Sequence, residues 1–274
     1  MTVPMKFYKH VLGVNKKSSN LAVLTELGQM PIVCDCLIRS LKYFKRINNL
    51  SPNKLVSQIL ECMPHCDIMT DYDRFLNQVL VKLNLQNFTI EKTELKASLK
   101  KFNNQAKRRI YETQKITFND LLKDQTGKLT FYKNIKKHHS LERYLTRIID
   151  PQHRKSLTRL RISAHRLPIE LGRYSKLHQT KRECILCNSH EIGSEIHVLL
   201  ECTNHDIIEK RKNMLEKVTK IVPVLKFLSP LQQIIYLTQA HDQNITTIYA
   251  EFVHSILVYN ENTRIQSSGL VSNP

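Results

Sequence analysis

The segment RECILCNSHEIGSEIHVLLECT, residues 182–203, decides how the rest of the chain is read. It holds Cys184, Cys187, His197 and Cys202 in the spacing Cys-x2-Cys-x9-His-x4-Cys. A Cys-x2-Cys turn points both sulfurs at one spot, and His197 with Cys202 supplies the second half of a tetrahedron after a loop containing Gly193. Thiolate and imidazole are donors that zinc prefers to hard oxygen ligands. All four places are filled by protein, so the spacing predicts one structural Zn²⁺ rather than a hydrolytic centre with an open position. His190 and His205 stand near enough in sequence to replace His197 as the nitrogen ligand. Four unrelated residues are the competing explanation, but three of the chain's seven cysteines fall in this window.

One geometric difficulty follows from the same spacing. His197 and Cys202 are five positions apart, and an unbroken α-helix would set them about 140° apart around its axis. The helix that starts near Ser194, a capping residue, is therefore expected to end or loosen near Cys202. Thr203 and Asn204 then offer a cap for a helix over 206–220.

Working outward, the chain is strongly basic. Its 274 residues carry a formal charge of +18, with a sequence pI near 9.6. Between Lys133 and Arg182 there are 14 Lys and Arg against three acids, Glu142, Asp150 and Glu170. Such a field attracts polyanions, chiefly nucleic acid, with strong salt dependence. No apolar run is long enough to span a membrane, which excludes an integral membrane protein of the helical kind. The first residues lack a signal-peptide pattern, so an intracellular location, nucleus or cytoplasm, is expected, and metal binding rather than disulfide pairing for the cysteines.

Few Gly and Pro, with abundant Leu, Ile and Lys, predict a mainly α fold. Residues 1–88 read as a helical bundle, with apolar stripes Val33, Leu37, Leu41, Phe44 and Phe75, Val79, Leu83. Residues 89–150 read as a basic helical connector whose stripe is Leu95, Leu99, Phe102, Ala106 and Ile110. Residues 151–260 hold an arginine-rich helix, the Cys-Cys-His-Cys module and closing helices, and 261–274 a flexible tail. Cys34, Cys36, Cys62, His65 and Cys66 are a poor second metal set, because adjacent His65-Cys66 and a Cys-x-Cys pair on a helix strain one tetrahedron. Asp71 reads as a helix cap rather than half of a two-metal pair with Asp73.

The arginine-rich helix is expected over 155–167. Leu157, Leu160, Ala164 and Leu167 fall on one arc, with Lys155, Arg159 and Arg166 nearly opposite. Arg161, His165, Arg173 and Lys176 extend a patch suited to phosphate. Interleaved Tyr132, Lys133, Lys136, Lys137, His138 and His139 add a weaker signal for stacking on unpaired bases.

LTRLRISAHRLPIELGRYSK (157–176), followed by RECILCNSHEIGSEIHVLLEC (182–202), resembles the tail of non-LTR (LINE-type) retrotransposon polyproteins. KFYKHVLGVNKKSSNLAVLTELGQMPI (6–32) is similar to the segment after their polymerase, and LSPLQQIIYL (228–237) to their C-terminal helix pair. The resemblance implies zinc on Cys184, Cys187, His197 and Cys202, and an RNA or single-stranded DNA contact bordering the Arg159–Arg173 region. An intact retrotransposon polymerase in trans is a further candidate partner, which the sequence by itself does not decide. There is no Tyr/Phe-x-Asp-Asp strand, so the chain is expected to be a non-enzymatic remnant of such a reverse transcriptase. The rival expectation is a zinc-stabilised structural or protein-interaction module with no nucleic-acid role.

Overall fold

Short local signals set the first elements. In the computed structural model, which describes residues 3–47, 49–65, 71–88, 94–123 and 128–267, helix α1 (Val3–Val11) stops before Gly13, whose φ is +65°. Ser19 accepts the N–H of Ala22 and opens α2 (Asn20–Glu26). Gly28, at φ +60°, ends it where an added Cβ would stand 2.4 Å from the backbone nitrogen of Leu141. Only glycine fits a left-handed turn with a neighbouring backbone so close. The end of α2 is thereby pinned to the 140s: Leu27 bridges Leu141, and the Glu142 N–H donates to the Glu26 carbonyl.

The helices that follow are α3 (Ile32–Ile47), α4 (Leu55–His65), α5 (Asp71–Lys82) and α6 (Leu95–Lys123). After them come α7 (Thr130–Ile135), α8 (Tyr144–Arg147), α9 (Pro151–Arg161) and α10 (Pro168–Tyr174). The chain closes with α11 (His205–Ile221), α12 (Pro230–Gln239) and α13 (Gln243–Ser267). The fold is mainly α. No strand longer than an isolated bridge occurs among the described residues, and none of the described helices is long and apolar enough to cross a membrane.

The division of the chain differs from the one expected. Met30–Lys123 is one compact unit, while Met1–Gln29 and Asp124–Pro274 together make the other. The boundaries 1–88 and 89–150 are both corrected by this. Helix α6 is no connector: Leu99, Phe102, Ala106 and Ile110 join Cys34, Ile38, Leu41, Phe44, Leu76, Leu80 and Leu85 in one core. Leu41 and Phe44 of the α3 stripe are buried as expected, and Leu37, Val79 and Leu83 pack partly against the same core, but Val33 and Phe75 face solvent while Cys34 and Leu76 are buried. Leu55 and Ile59 of α4 are exposed as well. Cys66 lies outside the described residues.

The discontinuous unit is held by a buried ionic hub. Arg161 is fully buried, and its Nε donates to Glu26 Oε2 at 3.0 Å, its Nη1 to the Thr238 carbonyl at 2.8 Å. Its Nη2 pairs with Glu142 Oε2 at 2.9 Å. Buried Lys136 pairs with Glu142 and donates to the Ser140 carbonyl, and Tyr144 donates to Glu26 at 2.8 Å while its ring underlies the guanidinium. Two cations and two carboxylates thus cancel, which is the condition for keeping charge in a core. Tyr132 is buried beside them, so neither it nor Lys136 belongs to an exposed stacking surface. Helix α13 packs along α9 and α11 and continues through 261–267, residues expected to be flexible.

Candidate metal centre and its basic surround

Residues 183–192 fold back on themselves: Glu183 bridges Ile192, and the Cys184 N–H donates to the Glu191 carbonyl at 2.8 Å. Gly193 follows where its Cβ would collide with the Pro168 ring. Ser194 caps the next turn by accepting the His197 N–H. From His197 to Glu201 the helix widens into a single π turn, closed by the Cys202 N–H donating to the His197 carbonyl five residues back. An i→i+5 turn returns the fifth residue to nearly the side it left. The loosening expected near Cys202 therefore takes this form, and it brings His197 and Cys202 to one side.

The four side chains converge. Cys184 Sγ lies 3.9 Å from Cys202 Sγ, and Cys187 Sγ lies 3.4 Å from His197 Nε2. All four donor atoms lie within 4.8 Å of one another, a group able to hold a metal ion. His190 instead pairs with Glu183, and His205 lies beside Asp206. Cys202 and His197 are buried, and Cys187 alone is partly open.

The backbone prepares the sulfurs for charge. An N–H two residues on donates to each: Leu186 to Cys184, Ser189 to Cys187, Asn204 to Cys202. Such bonds favour thiolate. The contact with Cys184 and the Asn204 N–H bring the Cys202 thiol down to about 6, and the same contact, with burial, pushes the Cys184 thiol up. Burial opposes ionisation at Cys187, but the Ser189 hydroxyl and N–H and His197 outweigh it and lower that thiol to about 7.

Two residues that the spacing did not single out hold this frame. Arg211 on α11 donates from Nε to the Leu199 carbonyl at 2.9 Å and from Nη2 to the Cys202 carbonyl at 2.8 Å. These carbonyls end the π turn, so Arg211 caps it. Asn204 caps α11 through the Ile207 N–H and donates its amide to the Leu186 carbonyl at 2.8 Å, tying α11 to the Cys-x2-Cys turn. A capping Asn was legible in the sequence; its second bond was not.

The basic residues are distributed differently from the expected helix face. Helix α9 begins with Asp150 accepting the Gln152 and His153 N–H groups and ends at Arg161, not at 167. Ser163 takes φ +52°, and Ala164 N–H reaches back to the Arg159 carbonyl, closing a Schellman motif. Arg161 is therefore corrected from surface contact to buried hub. Lys155 lays its stem over Gly13. Arg159 is exposed and donates to the Gly13 carbonyl, Arg166 pairs with Glu261 at 2.8 Å, and Arg173 pairs with Glu170 at 3.3 Å. Lys176 is exposed at φ +56°. His165, expected in the phosphate patch, is instead buried, with Nδ1 accepting the Leu167 N–H and Nε2 facing Glu195.

Compared with known proteins, the chain matches no family model, no curated protein and no solved structure.

Proposed function

We propose that this protein is a zinc-stapled, basic module that binds RNA or single-stranded DNA and carries no polymerase or endonuclease chemistry of its own. The observation that carries the reading is the convergence of Cys184, Cys187, His197 and Cys202 next to the most basic part of the chain. Zn–S bonds of about 2.3 Å and Zn–N bonds of about 2.0 Å make tetrahedral edges of about 3.8 Å between sulfurs and about 3.5 Å between sulfur and nitrogen. The Cys184–Cys202 and Cys187–His197 separations, 3.9 and 3.4 Å, match such edges, and the whole set of donors lies within 4.8 Å. Three sulfurs and one imidazole suit zinc above harder cations. When bound, the ion supplies a cross-link that contributes directly to folding. Leu186, Ser189 and Asn204 orient the sulfurs, and Arg211 fixes the turn that carries two of the ligands.

Descent from a non-LTR retrotransposon reverse transcriptase, and partnership with an intact polymerase, belong to this proposal on the strength of the quoted segments alone. Two measurements test the reading. Zinc content of native protein is expected at one ion per chain. Binding of labelled RNA and single-stranded DNA is expected to weaken steeply with salt, because each neutralised phosphate of a single strand contributes a slope of about −0.7. Protein that holds zinc yet binds neither strand at low salt would favour the rival, a zinc-stabilised module for protein contacts.

A further inference from the structure

Eight consecutive residues between α10 and the metal turn, YSKLHQTK (174–181), are all exposed and include no acid. An exposed segment of this kind is usually soft, yet this one is tied at both ends. Helix α10 closes with a second Schellman motif: the Leu177 N–H donates to the Gly172 carbonyl at 2.8 Å and the Lys176 N–H to the Arg173 carbonyl at 3.1 Å. That motif places Lys176, rather than a glycine, at φ +56°. From the far side Arg182 donates Nε and Nη2 to the Leu177 carbonyl and Nη1 to the Ile169 carbonyl. Its stem lies against Gly172, where an added Cβ would stand 2.4 Å from Arg182 Cγ. The next residue but one is Cys184, so the loop and the metal turn share one anchor.

We propose that this loop is a docking platform for a single-stranded polynucleotide, with Tyr174 stacking on an unpaired base and Lys128, Lys176 and Lys181 taking the flanking phosphates. The inference rests on the nucleic-acid reading above and names where on the molecule the strand lies. Tyr174 is 45% exposed. The Lys128 ammonium stands 5.4 Å from its ring centroid and 3.1 Å from its hydroxyl, so an aromatic face and a phosphate partner are already juxtaposed. An aromatic ring set among cations serves unpaired bases, whose faces are free, whereas the bases of a duplex are stacked on each other. Three of the four arginines first expected to make the contact are ion-paired elsewhere, Arg161 to Glu26, Arg166 to Glu261 and Arg173 to Glu170, and Arg159 donates to the Gly13 carbonyl. Lys176 and Lys181 have no ion-pair partner among the described residues. A loop already ordered by backbone bonds loses little further entropy on binding.

The test uses the full-length protein and fluorescein-labelled oligonucleotides: oligo-U, oligo-dT, and a duplex of equal length. Tyr174→Ala is expected to weaken single-strand binding by about five- to a hundredfold without changing the salt slope, and Tyr174→Phe to retain it. Lys176→Gly with Lys181→Gln is expected to flatten the slope by about 1.4 in all; glycine keeps the left-handed turn without strain. Equal losses on oligo-U and oligo-dT support a stacking site indifferent to the sugar. A loss confined to oligo-U supports the same site with a 2′-hydroxyl contact added. Wild-type protein that binds no oligonucleotide overturns both the general reading and the platform. Wild-type binding that survives all of these substitutions overturns the platform alone, as does a duplex affinity that falls with Tyr174→Ala as far as the single-strand affinity does.

Discussion

Arg161 shows how one side chain can carry a long-range contact that its neighbours in sequence do not reveal. It lies between Leu160 and Ile162, and at 100° per residue it falls about 40° from Leu157, beside the apolar arc, whereas Arg159 falls about 160° away. Its burial depends on Glu26 and Glu142 and on a carbonyl from α12, partners that periodicity cannot supply. The four metal-site residues are the opposite case, because metal ligation leaves a local spacing of few residue types. Removing one partner of the hub leaves an uncompensated buried charge, a change that typically costs about 3–5 kcal/mol. Glu26→Ala is accordingly expected to lower the stability of the discontinuous unit by that order, read from urea unfolding. A loss no larger than that of an exposed ion-pair variant such as Glu112→Ala would mean that the hub contributes little.

At the scale of elements, the sequence revealed helices well and their ends less well. Ser19, Asp150, Asn204 and Ser229 all cap as side-chain chemistry predicts. Helix α9 stops early because Ser163, in no way an obvious breaker, occupies the left-handed position that glycine usually takes. The stripes on α3 and α5 begin at Cys34 and Leu76 rather than at Val33 and Phe75, although Leu41 and Phe44 are buried as read, since 3.6-residue periodicity fixes the existence of an apolar face more firmly than its edges. The π turn over His197–Glu201 was legible only as a problem, namely that five residues do not close one α-helical turn. A bond from the Cys202 N–H to the His197 carbonyl closes it, and Arg211 on the next helix caps it. Arg211→Ala is expected to weaken metal affinity by about 10- to 100-fold, the usual effect of losing a group that positions ligands. Competition against a chromogenic chelator measures this, and an unchanged affinity would assign Arg211 to α11 packing alone.

At the scale of the whole molecule, the mainly α class and the basic charge were readable from composition, whereas the division of the chain was not. Contiguous sequence suggests contiguous units, and the pairing of 3–29 with 130–267 rests on the hub and on the Leu27–Leu141 bridge. The metal site belongs to that discontinuous unit, while α3–α6 keep a core of their own. Chelation of the metal is therefore expected to raise amide exchange over 183–204 first, with the amides of α3 and α6 keeping their protection. Equal loosening of α3 and α6 would show that the two cores unfold as one.

The span from Glu26 to Arg161, 135 positions, also sets an order of events during translation. At a synthesis rate of about 5–20 residues per second, Glu26 leaves the ribosome roughly ten seconds before its partner is made. Helices α3–α6 emerge in that interval and carry every residue of their own core, so the nested segment can fold first. The segment that carries Glu26 must wait for the one that carries Arg161, an inversion of the order in which earlier-made segments fold first.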